Sequence, residues 1–399
     1  MRQQWRLRVT DSRSRPQIPT AVFPACFFTL FCARLPSFNQ LEELRSRSTW
    51  RRWLDGHDLP SADELAYVSE RIDPQGLRDC LSHIYTKLKR NKVLKPMHGW
   101  MLAAVDGHEV NSSYKRCCPQ CLRRQITVGG VERTQYYHRL VALQLVCEDF
   151  RLMLDVEFQR PGEDEVAAAL RVVARVIRRH PRCFDVLVGD ALYLRPSVIG
   201  LLTKHHKYFI ATLKENQPEL LAEAKTLLPA SLPQHIRLPN RPGKLDRSAV
   251  LRESEGFDTD SITTKLRVLQ ATESGILSER IAGKTVRTPY QTLWFWASTL
   301  PADQASAAVL FHLARARWKI ENEGYNELVT HWHSSHYYHH HPTSMLVLWL
   351  MLFMAHAIFH CFHSRNLKPE LRHGKSAISF ARLIEAELRG LGIWWPPPE

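Results

Sequence analysis

The chain has 399 residues, 44% hydrophobic and 24% charged, a balance ordinary for a folded globular protein and too apolar for a disordered one. Its 54 Lys and Arg against 40 Asp and Glu leave a formal charge of +14, which favours a polyanionic partner, nucleic acid above all. Nine cysteines scattered over a long chain argue against a secreted disulfide scaffold and for a reducing cytosol.

Residues 1–20 are basic and irregular, and disorder is expected there. Residues 21–33 follow that Arg-rich start in the manner of a signal peptide, but they contain Pro24 and lack a clean small-residue cleavage site. Helical signals fill residues 37–95. Ser37 with Gln40 and Ser61 with Glu64 fit capping boxes, and Asp73-Pro74 is an N-cap followed by a first-turn proline. Leu77, Leu81, Ile84 and Leu88 then repeat at helical spacing, and the helix runs into Lys87, Lys89, Arg90, Lys92 and Lys95. That basic run is either a solvated helix end or a strip that contacts phosphates.

The pattern changes at Gly99. Residues 100–105 are an apolar run ending in Asp106, a buried strand with a carboxylate at its C-terminal end. Strands are expected at 137–146 and 151–158. Pro161-Gly162 opens a helix with Glu163, Asp164 and Glu165 in its first turn and Arg175, Arg178 and Arg179 in its last, which complements the helix dipole. Residues 184–189 form another apolar strand, ending in Asp190; a helix at 196–205 and a strand at 208–213 follow. Residues 215–289 are broken up by Pro, Gly and Ser and read as a β-rich insertion entered through a short helix at 220–228. A strand at 292–298 follows, then a helical stretch capped by Asp303 and running to about Leu328, with Val309, Leu313, Ala316 and Ile320 on one stripe. The apolar run 345–355 is shorter than the ~20 residues a bilayer requires, so it is expected to be a buried helix.

The expected organisation is a disordered N-terminus (1–20), a helical domain (21–98), an α/β catalytic domain (99–365) with a β-rich insertion at about 216–290, and a C-terminal tail (366–399). In the order strand, strand, strand, helix, strand, helix, strand, insertion, strand, helix, the first carboxylate ends strand one and the second ends strand four. Those strands are neighbours at the centre of an RNase H-like mixed sheet, so Asp106 and Asp190 converge. Two hard carboxylates at adjacent strand ends suit Mg²⁺ or Mn²⁺. A third would complete a site for two ions about 4 Å apart, clamping the attacking and leaving oxygens of a phosphoryl transfer. Glu321 is the best third member, at the edge of the apolar stripe, with Arg317 four residues earlier on the same face. The bland alternative is an ordinary surface ion pair.

Three motifs carry a resemblance. Arg317-Trp-Lys-Ile-Glu-Asn322 resembles the third catalytic signature of bacterial insertion-sequence DDE transposases of the IS-four-like group, and Ala104-Val-Asp-Gly107 and Val188-Gly-Asp-Ala-Leu-Tyr193 resemble its two Asp signatures. The resemblance spans roughly residues 36–365 and implies Asp106, Asp190 and Glu321 as catalytic and metal-binding residues, two Mg²⁺ or Mn²⁺ ions, double-stranded DNA (transposon ends and target) as partner, a homodimer on that DNA, no membrane, and a bacterial, nucleoid-associated cytoplasmic location. Arg315, Arg317 and Lys319, with Lys87, Lys89, Arg90 and Lys92, are the expected DNA contacts. The chain departs from the group's fullest signature at Ala314 and Leu328, where the group has Tyr and Lys; Tyr325, Asn326 or the following His-rich segment are candidates to substitute. Rival functions are an RNase H-like nuclease that cuts without joining, and a transposase-derived DNA-binding protein with an unproductive site.

Two side clusters stand out. Cys117, Cys118 and Cys121 have Cys-x-x-Cys spacing, and with His138 they make half of a structural zinc site or a loop of reduced thiols. Residues 330–341 are rich in His and aromatics, suited to lining a DNA channel or to packing a helix–loop junction; as a metal site the segment lacks a clear helical or hairpin spacing. Trp294 and Trp296 could stack on a displaced base, but they alternate in a strand and are expected in the core. His108 either hydrogen-bonds a site carboxylate or starts the next loop.

Overall fold

The computed structural model describes residues 1–45, 49–281, 283–336 and 338–390. Six helices come first: α1 (Arg2–Arg8), α2 (Val22–Cys32), α3 (Phe38–Glu42), α4 (Thr49–Trp53), α5 (Ala62–Ser69) and α6 (Pro74–Arg90). The capping signals act as expected: Ser37 accepts from the Gln40 amide, Ser61 and Glu64 form a reciprocal capping box, and Asp73 caps α6 ahead of Pro74. The expectation of a disordered start is corrected, because α1 buries Trp5 to 1% exposure and Val9 packs in the same core. A tryptophan once buried outweighs the basic composition around it.

The sheet contains β1 (Leu102–Ser113), β2 (Leu122–Val128), β3 (Val131–Val146), β4 (Arg151–Phe158), β5 (Val186–Gly189), β6 (Tyr208–Thr212), β7 (Gln234–Arg237), β8 (Lys244–Thr259), β9 (Ile262–Ile281) and β10 (Lys284–Ser298). Its central order is β4-β3-β1-β5-β6, with β1 antiparallel to β3 and parallel to β5, and β5 parallel to β6. This is a mixed sheet of RNase H type. The sequence pattern did not reveal β2, which pairs with the first half of β3 in a hairpin whose residues are mostly exposed and so carry little apolar signal. Helices α7 (Glu165–Arg179), α8 (Pro196–Lys204) and α9 (Pro218–Leu227) follow β4, β5 and β6.

The insertion continues the sheet rather than standing apart. β10 pairs with β6 through Trp296, Ala297 and Ser298 and with β9 along its whole length, while β8 and β7 extend the edge. After it, Ser306 rather than Asp303 caps α10 (Ala307–Arg315). The stretch expected as one helix is interrupted: α11 (Trp318–Ile320) leads into a π-helical turn at Glu321–Tyr325, then α12 (Asn326–Trp332).

Helix α13 (Pro342–Cys361) packs against α2, α6 and β4, joining the N-terminal helices to the sheet, and Ser69 meets Ser344 at 2.6 Å across that contact. The span Pro342–Asn366 is long and apolar enough to cross a bilayer, but 72% of its most apolar window is buried in the fold, as a core helix requires. Helices α14 (Pro369–Arg372) and α15 (Ala377–Leu388) follow; the last part of the expected tail, 391–399, lies outside the described residues.

Candidate active site

Strand β1 is buried on both faces from Leu102 to Val105, and Asp106 sits at the end of that apolar run, 9% exposed. The parallel register pairs Leu102 with Val186, Ala103 with Leu187 and Ala104 with Val188. Asp190 follows the end of β5 and by the same offset falls level with Asp106; the expectation that Asp106 ends its strand is corrected, because β1 runs on to Ser113 in its pairing with β3 after its pairing with β5 stops at Ala104. Asp190 also caps the single turn Ala191–Tyr193, its Oδ1 accepting the Leu192 amide at 2.9 Å, which fixes the carboxylate where strand turns to helix.

The late helix brings in Glu321. Arg317 donates to Glu321 Oε1 at 2.7 Å, and the same nitrogen lies 3.7 Å from Asp106 Oδ2. One guanidinium nitrogen thus sits between two carboxylates that are far apart in sequence. Arg317 is buried, and its Nε finds no hydrogen-bond partner among the described residues. The π turn begins at Glu321 itself, and such turns often mark functional positions because they re-aim side chains within a helix.

Tyr325 closes that turn. Its hydroxyl accepts the Ala142 amide at 3.1 Å and donates to the Asp106 carbonyl at 2.8 Å, bridging residues that face each other across β1 and β3. His108 stacks on its ring at 4.6 Å and lies inside β1 rather than starting a loop. Tyr325 is therefore spent on holding the helix to the strand and is not available to phosphate. Ala314 and Leu328, at the positions of the expected Tyr and Lys, are core residues.

Glu165 is a fourth carboxylate that sequence reasoning assigned only to the helix dipole. It accepts from Tyr193 at 2.6 Å and from Arg139 at 3.2 Å, so both of its oxygens are engaged. A Cβ on Gly107 would fall 2.3 Å from its carboxyl carbon, which explains a glycine directly after Asp106. The spacing Asp-Gly in the sequence was the available signal, but nothing in it pointed to residue 165.

The electrostatics fit a cation. Burial pushes the Asp106 carboxyl up to about 8; Arg317 opposes that shift, and the nearby charges of Glu321, Asp190 and Glu165 add to it. Hard oxygen donors crowded in this way, with a single buried guanidinium among them, are suited to divalent Mg²⁺ or Mn²⁺. Beside Asp190 opens a groove of about 780 Å³ lined by Arg195, Lys214, Lys225 and Trp294. The three cations are exposed, while Trp296, next but one to Trp294, is buried.

Other expected contacts fall elsewhere. Arg315 pairs with Glu273 of β9 at 3.3 Å and lies over Trp294, so the insertion holds it. Lys319 is half-buried, and that burial draws its pKa down. Lys87, Lys89, Arg90 and Lys92 are exposed, but Lys89 bonds the Arg182 carbonyl, just before β5. That is where β1 and β5 begin, about 13 Å of strand from the level of Asp106 and Asp190. The basic run does not border the carboxylates, because α6 packs along the sheet in the direction that carries its C-terminus away from them. Of the four residues expected as zinc ligands in the β1–β2 loop and β3, Cys118, Cys121 and His138 converge, while Cys117 is exposed and stays outside. The His-rich segment packs: Tyr338 bonds the Leu35 carbonyl and His339 bonds Glu70, while Tyr337 lies outside the described residues.

The family model described as "Transposase DDE domain" matches residues 116–358, more than half of the chain. A search of curated proteins returns no significant match.

Proposed function

Since this chain belongs to the DDE transposase family, we propose that it cuts transposon-end DNA and joins the freed 3′-hydroxyl to target DNA, with Asp106, Asp190 and Glu321 as the catalytic carboxylates. The family match begins after Asp106, so the inclusion of that residue rests on geometry. The observation that carries the reading is the Arg317 nitrogen shared by Asp106 and Glu321, on a strand whose register sets Asp106 beside Asp190.

When bound, two Mg²⁺ or Mn²⁺ ions at these carboxylates supply Lewis-acid stabilisation of the attacking and leaving oxygens of an in-line displacement. The protein contributes position. Asp106 is held within β1 by its pairing with β3, Asp190 by the turn that follows β5, Tyr325 ties the late helix to β1, and Arg317 orients Glu321. Cleavage adds water across one phosphodiester, giving a 3′-hydroxyl and a 5′-phosphate. Joining forms a bond from that 3′-hydroxyl to a target phosphorus and releases the target strand's own 3′-hydroxyl, so no covalent protein intermediate and no cofactor turnover are needed. Arg195, Lys214 and Lys225 in the groove beside Asp190 are placed to take a phosphate backbone, with Trp294 offering a face for stacking. Joining both ends of an element calls for two copies of the chain, one per end.

The test uses a plasmid carrying the DNA that flanks the coding sequence, with Mg²⁺ or Mn²⁺ and a second plasmid as target. Expected products are strands cut at the ends and covalently joined to the target. Asp106→Ala, Asp190→Ala and Glu321→Ala should each abolish both steps and leave DNA retention in a gel shift largely intact. Cutting without any joined product would favour the simple nuclease, and near-wild-type cutting by any one variant would remove that residue from the site.

A further inference from the structure

We propose that Cys118, Cys121, His138 and His340 form a tetrahedral zinc site, separate from the carboxylates, that staples the loop between β1 and β2 to the segment leading into α13. All four ligand atoms lie within 4.8 Å of one another. The sulfurs are 3.7 Å apart; His138 Nε2 is 3.5 Å from Cys118 Sγ and 3.2 Å from Cys121 Sγ; His340 Nε2 is 3.5 Å from Cys121 Sγ and 3.3 Å from His138 Nε2. A tetrahedron with Zn–S near 2.3 Å and Zn–N near 2.05 Å has edges of about 3.8 Å between sulfurs, about 3.6 Å from sulfur to nitrogen and about 3.3 Å between nitrogens. The observed separations reproduce each kind of edge to a few tenths of an ångström.

Local structure points the same way. Cys118-Pro-Gln-Cys121 is a tight turn closed by the Cys121 amide on the Cys118 carbonyl at 3.1 Å, and the Cys118 amide donates to Cys121 Sγ at 3.2 Å, as suits a thiolate. A disulfide is excluded here because its sulfurs would stand about 2.05 Å apart. Cys121 and His138 are buried, so the cage is closed in the manner of a structural rather than a catalytic site. Two thiolates and two imidazoles select zinc over the hard cations that suit the carboxylates.

The ligands come from three remote parts of the chain. His340 belongs to the stretch between α12, which continues the Glu321 turn, and α13. His138 lies four residues along β3 from Ala142, the partner of Asp106, or about 13 Å. One ion would therefore tie the exit of the Glu321 helix to the strand beside the carboxylates.

The test is metal content. Full-length protein expressed in zinc-supplemented, cobalt-free medium and then dialysed should carry about one zinc per chain by mass spectrometry, as a closed structural site retains its ion. Cys118→Ser, Cys121→Ser and His340→Ala should lower retained zinc at least about tenfold, whereas Cys117→Ser should keep it. Cobalt-substituted wild type should show the visible spectrum of a tetrahedral ion with thiolate charge transfer, a readout that does not depend on any variant folding. Zinc-free wild type, loss of zinc in Cys117→Ser equal to that in Cys118→Ser, or an octahedral cobalt spectrum would overturn the proposal. None of these readouts involves DNA, so failure of the transposase reading leaves them intact.

Discussion

Tyr325→Phe removes one oxygen and nothing else, and the structure assigns that oxygen two partners. In the wild type it accepts from the Ala142 amide and donates to the Asp106 carbonyl. Each hydrogen bond contributes about 1 kcal/mol net, and each buried group left unpaired costs about 1–3 kcal/mol. The upper sum is not expected. Ala142 and Asp106 are register partners in an antiparallel pair, so with the hydroxyl gone the strands can close and recover part of the loss. We expect destabilisation of about 1–3 kcal/mol, with the ring still stacked on His108. Chemical denaturation of Tyr325→Phe beside His108→Ala separates the hydroxyl from the stacking. Strand cleavage should fall as well, because the phenol ties the Glu321 turn to the backbone of Asp106. A loss under about 0.5 kcal/mol would mean that the bridge is dispensable, and the proposed coupling of helix to strand would fail with it.

Gly107→Ala should lower the melting temperature because its Cβ displaces the Glu165 carboxylate from Tyr193 and Arg139, and adding Glu165→Ala should cost little more; a double variant whose loss is the sum of the two single losses would place the clash elsewhere. Without divalent cation, Asp106→Asn should melt at a higher temperature than wild type, since the carboxyl is raised from 3.8 to about 8 by burial first and by Glu321, Asp190 and Glu165 after it, against Arg317. A raised carboxyl favours the folded state fully below the unfolded value and loses that contribution as pH climbs to the folded one, so the gap between the two melting curves should open from pH 4 to pH 8; a gap independent of pH would refute the reasoning. Replacing Arg195, Lys214 and Lys225 by Ala should flatten the log–log salt dependence of DNA binding by about 2–3 units, whereas the Lys87, Lys89, Arg90 and Lys92 quadruple variant should leave cleavage at the site intact; the reverse pattern would move the DNA path to the α6 end of the sheet.

What the sequence disclosed was decided by range. Asp106 and Asp190 end apolar runs that can only be buried strands, and the topology of a mixed sheet sets such runs side by side, so both carboxylates could be read from composition and order. Glu321 could be read from its place on a helical stripe, yet the break after α10 and the π turn could not. Periodicity averages over turns and cannot register one extra residue inserted where Tyr325 reaches across to β1. Glu165, Tyr325 and His340 act through partners fixed only by the finished fold: Glu165 meets Gly107, Tyr325 bonds β1 and β3, and His340 meets Cys121 across 219 positions.

The same limit explains the basic run. Lys87 to Lys92 was conspicuous as composition, but charge along one helix says nothing about which edge of a sheet the helix ends on. The direction of α6 across the sheet decides that, and it carries the run to the start of β5, beside Arg182. The cations that do border the carboxylates, Arg195 and Lys214, are isolated in sequence and sit after β5 and β6, on the connections that leave the C-terminal ends of parallel strands. In an open α/β sheet those connections gather at one edge, whatever their spacing along the chain. A site for a polyanion is therefore assembled from single residues after successive strands, and a cluster in the sequence is weak evidence for where it lies.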